Sequence, residues 1–181
     1  MVLFVSTKSS FGFKFINSKK QTMKKITLTV LAIAAFGIAS AQDMKYGIKG
    51  GIDMVSAKSE LGSYNASGFY FGGFAEFEMS DKIVLQPGLN YHTASKDGVK
   101  FDYVSIPAIA KYNLSDKLNL LAGPTLYYSM DSADTEKTRF NLGIGASYDI
   151  TDQFFVEPRY DMGLTGDLKV SHFLIGTGYK F

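Results

Sequence analysis

The chain has 181 residues and a formal net charge of +2, with no Cys, no Trp, 18 Gly, 11 Tyr and 15 Phe. Residues 1–41 carry six lysines and no acid, whereas 42–181 carry 13 basic and 17 acidic residues, a net of −4. One domain fits this length; a disulfide framework and thiolate metal sites are excluded, and the acidic main body offers no basic face to nucleic acid.

In chain order, residues 1–22 read as an upstream extension, because Met23 opens an export signal without them. Lys24 and Lys25 form a positive start, Ile26 to Ile38 an apolar run, and Ala39-Ser40-Ala41 a small-x-small site. The pattern predicts a signal peptide over 23–41, cleaved after Ala41, and the apolar run is short for a spanning helix.

After Gln42 the apolar residues alternate with period two, as a strand with two unlike faces requires. The first segment sets Tyr46, Ile48, Ile52 and Met54 against Lys45, Lys49 and Asp53. The second sets Phe69, Phe71, Ala75 and Phe77 against Tyr70, Gly72, Phe74, Glu76 and Glu78. The third opposes Leu85, Leu89 and Tyr91 to Gln86, Gly88, Asn90 and His92. The sixth opposes Phe140, Leu142, Ile144, Ala146 and Tyr148 to Asn141, Gly143, Gly145, Ser147 and Asp149. The last sets Phe173, Ile175, Tyr179 and Phe181 against His172, Gly176, Gly178 and Lys180.

A repeat orders the segments. Phe77-Glu-Met-Ser-Asp-Lys-Ile83 returns as Tyr112-Asn-Leu-Ser-Asp-Lys-Leu118 and as Tyr148-Asp-Ile-Thr-Asp-Gln-Phe154. Each copy reads as two strands joined through a short [Ser/Thr]-Asp turn whose side chain bonds its own backbone. Longer, polar connections are expected at 55–66, 94–99, 130–137 and 165–168. Three tight turns and four longer loops give eight antiparallel strands in up-and-down order. All four prolines, Pro87, Pro107, Pro124 and Pro158, fall inside strands, where bulges or weakened pairing are expected.

The two faces decide the surroundings. One face is glycine-rich and carries the charges; the other is nearly uncharged and ends in aromatics. An eight-stranded barrel has an interior just wide enough for side chains, so a lumen of Phe, Leu and Ile from every strand would be overfilled. The apolar face therefore points outward into lipid, and the expected fold is all-β, an eight-stranded transmembrane barrel over 42–181. Short turns on one side and longer loops on the other are the asymmetry of outer-membrane barrels.

Inward-facing Lys45, Lys49, Glu76, Glu78, Lys111, Glu157, Arg159 and Lys180 are expected to form a compensated ionic plug. A selective pore is the alternative, but eight strands leave little bore. His92, facing the lumen with Thr93 and Ser95 close by, admits a lipid-modifying hydrolase or acyltransferase, although no strong motif supports one. His172 reads as a polar lumen or rim residue. No His, Asp or Glu spacing suggests a metal, and no cofactor is expected. Among loop residues, Asp131, Asp134 and Glu136 read as solvated acids or divalent-cation ligands, and Leu61 and Tyr64 as partner contacts.

Tyr46-Gly-Ile-Lys-Gly-Gly-Ile52, Leu85-Gln-Pro-Gly-Leu-Asn-Tyr91, Tyr103-Val-Ser-Ile-Pro-Ala-Ile-Ala-Lys-Tyr112, Leu121-Ala-Gly-Pro124 and Val156-Glu-Pro-Arg-Tyr160 together resemble the PorT-like outer-membrane β-barrel domain family, often labelled porin family. The end, Gly178-Tyr179-Lys180-Phe181, is similar to the signal read by the barrel-assembly machinery, with Tyr179 and Phe181 as its aromatics. The resemblance implies residence in the outer membrane and contact with its lipid. The expected role is structural, envelope-maintaining or interactive, with a small-solute porin or a lipid-modifying enzyme as alternatives.

Overall fold

Period-two alternation becomes eight strands: β1 (Met44–Ser59), β2 (Gly62–Ser80), β3 (Ile83–Lys96), β4 (Val99–Asn113), β5 (Leu118–Ser129), β6 (Thr138–Asp149), β7 (Phe154–Gly163) and β8 (Lys169–Lys180). This computed structural model describes residues 44–59, 62–96, 98–130, 137–165 and 169–181. Residues 1–22, the expected signal 23–41 with its cleavage point, and Leu61, Asp131, Asp134 and Glu136 lie outside the described residues. Each strand pairs antiparallel with its neighbours in chain order, and β1 pairs with β8 from Gly47↔Lys180 to Lys58↔Lys169. The barrel is closed, so no strand edge faces the surroundings along its shared wall.

Two of the repeated turns are built as expected. Ser115 Oγ accepts the Leu118 amide at 3.1 Å, and Thr151 Oγ1 accepts the Phe154 amide at 2.9 Å. The first copy departs: β2 shifts register between Glu78 and Ser80, and only Asp81 and Lys82 separate it from β3.

At the other end, the loops expected at 55–66 and 94–99 are overturned. The β1–β2 ladder runs to Ser59↔Gly62 and the β3–β4 ladder to Lys96↔Val99, leaving two-residue connections. The small and polar residues of these stretches keep the period of two, so the strands continue as hairpins. In the second hairpin Gly98 has φ +81°, which an Asp-Gly hairpin turn requires.

The prolines interrupt pairing without bulges. Pro87 pairs with Ala108, Pro107 with Thr125, Pro124 with Leu142 and Pro158 with Ile175, always toward the following strand. Toward the preceding strand the ladder is broken at each proline, and the same register resumes beyond it. Proline has no N–H to donate, and in an antiparallel ladder a residue's donor points at one neighbour only. The registers place Ala75, Gly88, Ala108 and Ala146 opposite the four lost rungs, small residues that leave room for a pyrrolidine ring.

The polarity is inside out. Phe71 is 64% and Ile144 59% exposed, and Ile48, Ile52, Phe69, Leu89, Leu120, Leu142, Met162 and Ile175 are also exposed on the outer wall, whereas Glu76 and Arg159 are buried. Tyr46, Tyr112, Tyr128, Tyr148 and Phe154 are exposed near strand ends, where an interface girdle belongs. Phe140 has the outward parity but is buried; its amide donates to Thr165 Oγ1, so the start of the β7–β8 connection lies against it.

Inside, rings and aliphatic side chains accompany the charges and glycines. Tyr70, Phe74, Tyr103, Ile109, Leu121, Tyr127, Phe155 and Leu174 are buried there as well. The glycines are the reason they fit: a Cβ on Gly47 would meet the Phe74 ring, one on Gly176 the Tyr70 hydroxyl, and one on Gly178 the Phe155 ring. Bare backbone on β1 and β8 makes the space that rings from β2 and β7 occupy.

Candidate functional site

Charged side chains in the half of the lumen near the tight turns are held in opposite-charge contacts, most of them joined through shared partners. Lys45 meets Glu78 at 3.0 Å at the rim, where both are about half exposed. Deeper, Lys111 meets Glu76 at 3.2 Å, and Gln86 bridges from Glu76 to Lys49, donating to the first and accepting from the second at 3.0 Å each. Lys49 meets Glu157 at 3.1 Å. Arg159 spans Glu157 at 3.3 Å and Asp161 at 2.9 Å, and Tyr127 donates to Asp161 at 2.6 Å. Lys180 closes on Asp149 at 2.8 Å, which also takes the Asn119 amide.

All eight charged residues singled out in the sequence face this network: Lys45, Glu78, Lys49, Glu76, Lys111, Glu157, Arg159 and Lys180. Gln86, Asn119, Asp149 and Asp161 belong to it and were not singled out. Their inward parity was readable; their height, which decides who meets whom, depends on the stagger between strands.

Toward the long hairpins the chemistry changes. Asp53, fully buried, accepts from Tyr103 Oη at 2.5 Å and lies 2.9 Å from His92 Nδ1 and 3.2 Å from His172 Nδ1. His92 Nε2 is 2.8 Å from Ser105 Oγ, which also accepts the Asn90 amide at 3.1 Å. Rings fill the remaining section: His172 stacks on Tyr127 at 4.1 Å and 7°, and His92 lies between Tyr103 and Tyr70. His172 is thus a lumen residue, 80 positions from His92 in sequence and brought beside it by closure of β8 on β1.

Ser105, His92 and Asp53 have the connectivity of a nucleophile, a base and an orienting acid. Thr93 and Ser95, the hydroxyls next to His92 in sequence, face the outer wall instead. Ser105 and His92 are both fully buried among packed side chains, so in this conformation no acyl group can approach the hydroxyl. Among the described residues, no group of three His, Asp or Glu is placed to hold a metal ion.

Residues 26–181 match the outer membrane protein beta-barrel domain family. The chain belongs to that family. Membership and the closed eight-stranded architecture together place the barrel in the outer membrane. No curated protein is significantly similar to the chain in sequence. Among solved structures, it is similar to Ail, the attachment invasion locus protein of Yersinia pestis, with TM-score 0.57 and 18% identity over 77% of this chain and 100% of that one. Neisserial surface protein A is similar with TM-score 0.53 and 18% identity over the same shares. At such identities the likeness is one of fold.

Proposed function

We propose that this protein is a closed, non-enzymatic outer-membrane barrel with a structural, envelope-maintaining or interaction role, its lumen plugged by its own side chains. One observation carries the reading: the buried ion-pair chain from Lys111 through Glu76, Gln86, Lys49 and Glu157 to Arg159 and Asp161 crosses the bore, with each charge held by an opposite one. Paired this way, buried charges cost least where they are and resist hydration. A single-channel recording in planar bilayers tests it: no stable large conductance is expected, and liposome swelling by small solutes would establish the porin alternative instead.

The finer points of this reading are that export uses the 23–41 signal with cleavage after Ala41, and that within its family the chain is a PorT-like barrel. The barrel-assembly machinery would read the end of β8, where Tyr179 packs edge-on to Phe154 at 4.9 Å and Phe181 donates its amide to Tyr46 at 2.8 Å. Removal of Phe181 should lower the yield of assembled barrel in cells without impairing refolding in detergent. The lipid-modifying alternative has the Ser105–His92–Asp53 chain behind it. Lipid hydrolysis or acyl transfer that disappears in His92→Ala would replace the non-enzymatic reading.

A further inference from the structure

On two adjacent strands the outer wall reads the same order. Toward the hairpin end, the outward positions of β1 are Met54, Ser56 and Lys58, and those of β8 are Phe173, Ser171 and Lys169. The ladder pairs them one to one, Met54↔Phe173, Ser56↔Ser171 and Lys58↔Lys169. β2 continues the pattern, with Ser67 opposite Met54 and Asn65 opposite Ser56. Here the wall has a hollow of about 470 Å³, lined by Ser56, Asn65, Ser67 and Ser171, with Met54 and Phe173 on its apolar side. That size is common among small-molecule sites.

Exit from hydrocarbon does not by itself explain the order. On β5 and β7 the outer wall stays apolar to the strand ends and just past them, where Tyr128, Met130 and Leu164 are exposed. On β1 and β8 hydroxyls and then lysines replace the apolar side chains while the ladder still runs.

The charge at the top of the hollow is of one sign. Like charges directly opposite one another in an antiparallel pair repel. Lys169 is exposed, and among the described residues no carboxylate pairs with it. On β4, by contrast, Lys100 and Asp102 share the outward parity, so charge is balanced there. Glu60 and Asp167, acids close in sequence to the two lysines, lie outside the described residues. Ser171 Oγ accepts the Gly163 amide at 3.2 Å, which leaves its own proton to donate elsewhere. An anion between Lys58 and Lys169 would turn repulsion into charge-assisted contacts.

We infer that this hollow seats the headgroup of a phosphorylated, acylated sugar of the surrounding leaflet. A phosphate sits between Lys58 and Lys169, the sugar hydroxyls meet Ser56, Ser67, Ser171 and Asn65, and the acyl chains run down over Met54 and Phe173. The connections at this end include the longer ones, between β5 and β6 and between β7 and β8, as on the external side of outer-membrane barrels. The leaflet on that side of an outer membrane is built of such lipids. A glycerol phosphate carries the same charge but has no ring to fill the hollow. The site goes beyond the plugged-barrel reading and lies outside the lumen, so a conducting barrel would carry it equally.

The test uses 15N-labelled protein isolated from membranes, in micelles of an uncharged detergent, titrated with lipid A. The amides of Ser56, Ser171 and Lys169 should shift and saturate. Lys58→Gln with Lys169→Gln should weaken binding about 30-fold, as two lysine–phosphate contacts at a membrane surface imply. Lys137→Gln, an exposed lysine at the start of β6, should leave it unchanged. Ser56→Leu with Ser171→Leu fills the hollow and should weaken binding with both lysines in place. Lipid A stripped of its phosphates, and phosphatidylglycerol, which lacks the sugar, should each bind more weakly. Unaltered amide spectra away from the hollow identify the variants as folded. Equal losses in the lysine pair and in Lys137→Gln would mean diffuse attraction to the rim and overturn the site. So would leucines without effect, or phosphate removal without effect. Phosphatidylglycerol binding as tightly as lipid A would overturn the choice of a sugar headgroup.

Discussion

Arg159 is the largest fully buried side chain of the barrel, and its guanidinium is shared between Glu157 and Asp161. Removing it leaves two carboxylates in the lumen with less compensation, and breaking a buried pair from one side costs about 3–5 kcal/mol. Arg159→Met should therefore lower the unfolding free energy by roughly that amount. Lys45→Met, at a rim pair about half exposed to water, should change it by less than about 1 kcal/mol. Guanidinium titrations of both variants in the same detergent provide the comparison; equal losses would mean that the interior pairs are as well solvated as the rim. Packing makes a second prediction at this scale. A methyl group at position 176 collides first with the hydroxyl of Tyr70. Gly176→Ala should destabilise the barrel, and Tyr70→Phe added to it should recover part of the loss, a coupling that two independent sites would not show. The lumen charges were legible from parity alone, because period two assigns each residue a face. Asp53 and His172 were not legible as partners, since 119 residues separate them and only the β1–β8 closure sets them on adjacent strands.

At the level of strands, the prolines show what alternation hides. Their number and spacing were plain in the sequence, but which of two neighbours loses a hydrogen bond depends on the phase of the ladder. All four direct the loss toward the preceding strand and set it opposite Ala or Gly. Pro87→Val, on the lipid face opposite Ala75, should restore one donor to β2. A new slowly exchanging amide at position 87 and a gain of up to about 1 kcal/mol are expected. A loss of stability would show that the pyrrolidine ring itself is needed in that gap. The connections were misjudged for a related reason. Polar residues in 55–66 and 94–99 suggested loops, yet alternation persists through both, and Asp97-Gly98 is a hairpin signal in its own right. Polarity marks exit from lipid; it does not mark the end of a strand.

For the whole molecule, the decisive quantity is where the apolar surface goes. A soluble eight-stranded barrel buries its apolar parity and solvates the charged one. Here the charged parity is enclosed, and the exposed parity forms a continuous wall of Phe, Ile, Leu, Met and Tyr. Such a wall is stable only against hydrocarbon, and a charge placed on it should cost energy according to depth. Ile144 lies near the middle of β6, between Leu142 and Ala146, and is 59% exposed. Ile144→Arg should cost about 2–4 kcal/mol in bilayers, whereas Tyr128→Arg, near the end of β5, should cost no more than about 1 kcal/mol. Refolding both into vesicles and titrating with guanidinium measures the gradient. If Ile144→Arg were as well tolerated as Tyr128→Arg in the bilayer, the middle of β6 would not face lipid, and the inside-out assignment of the two parities would fail with it.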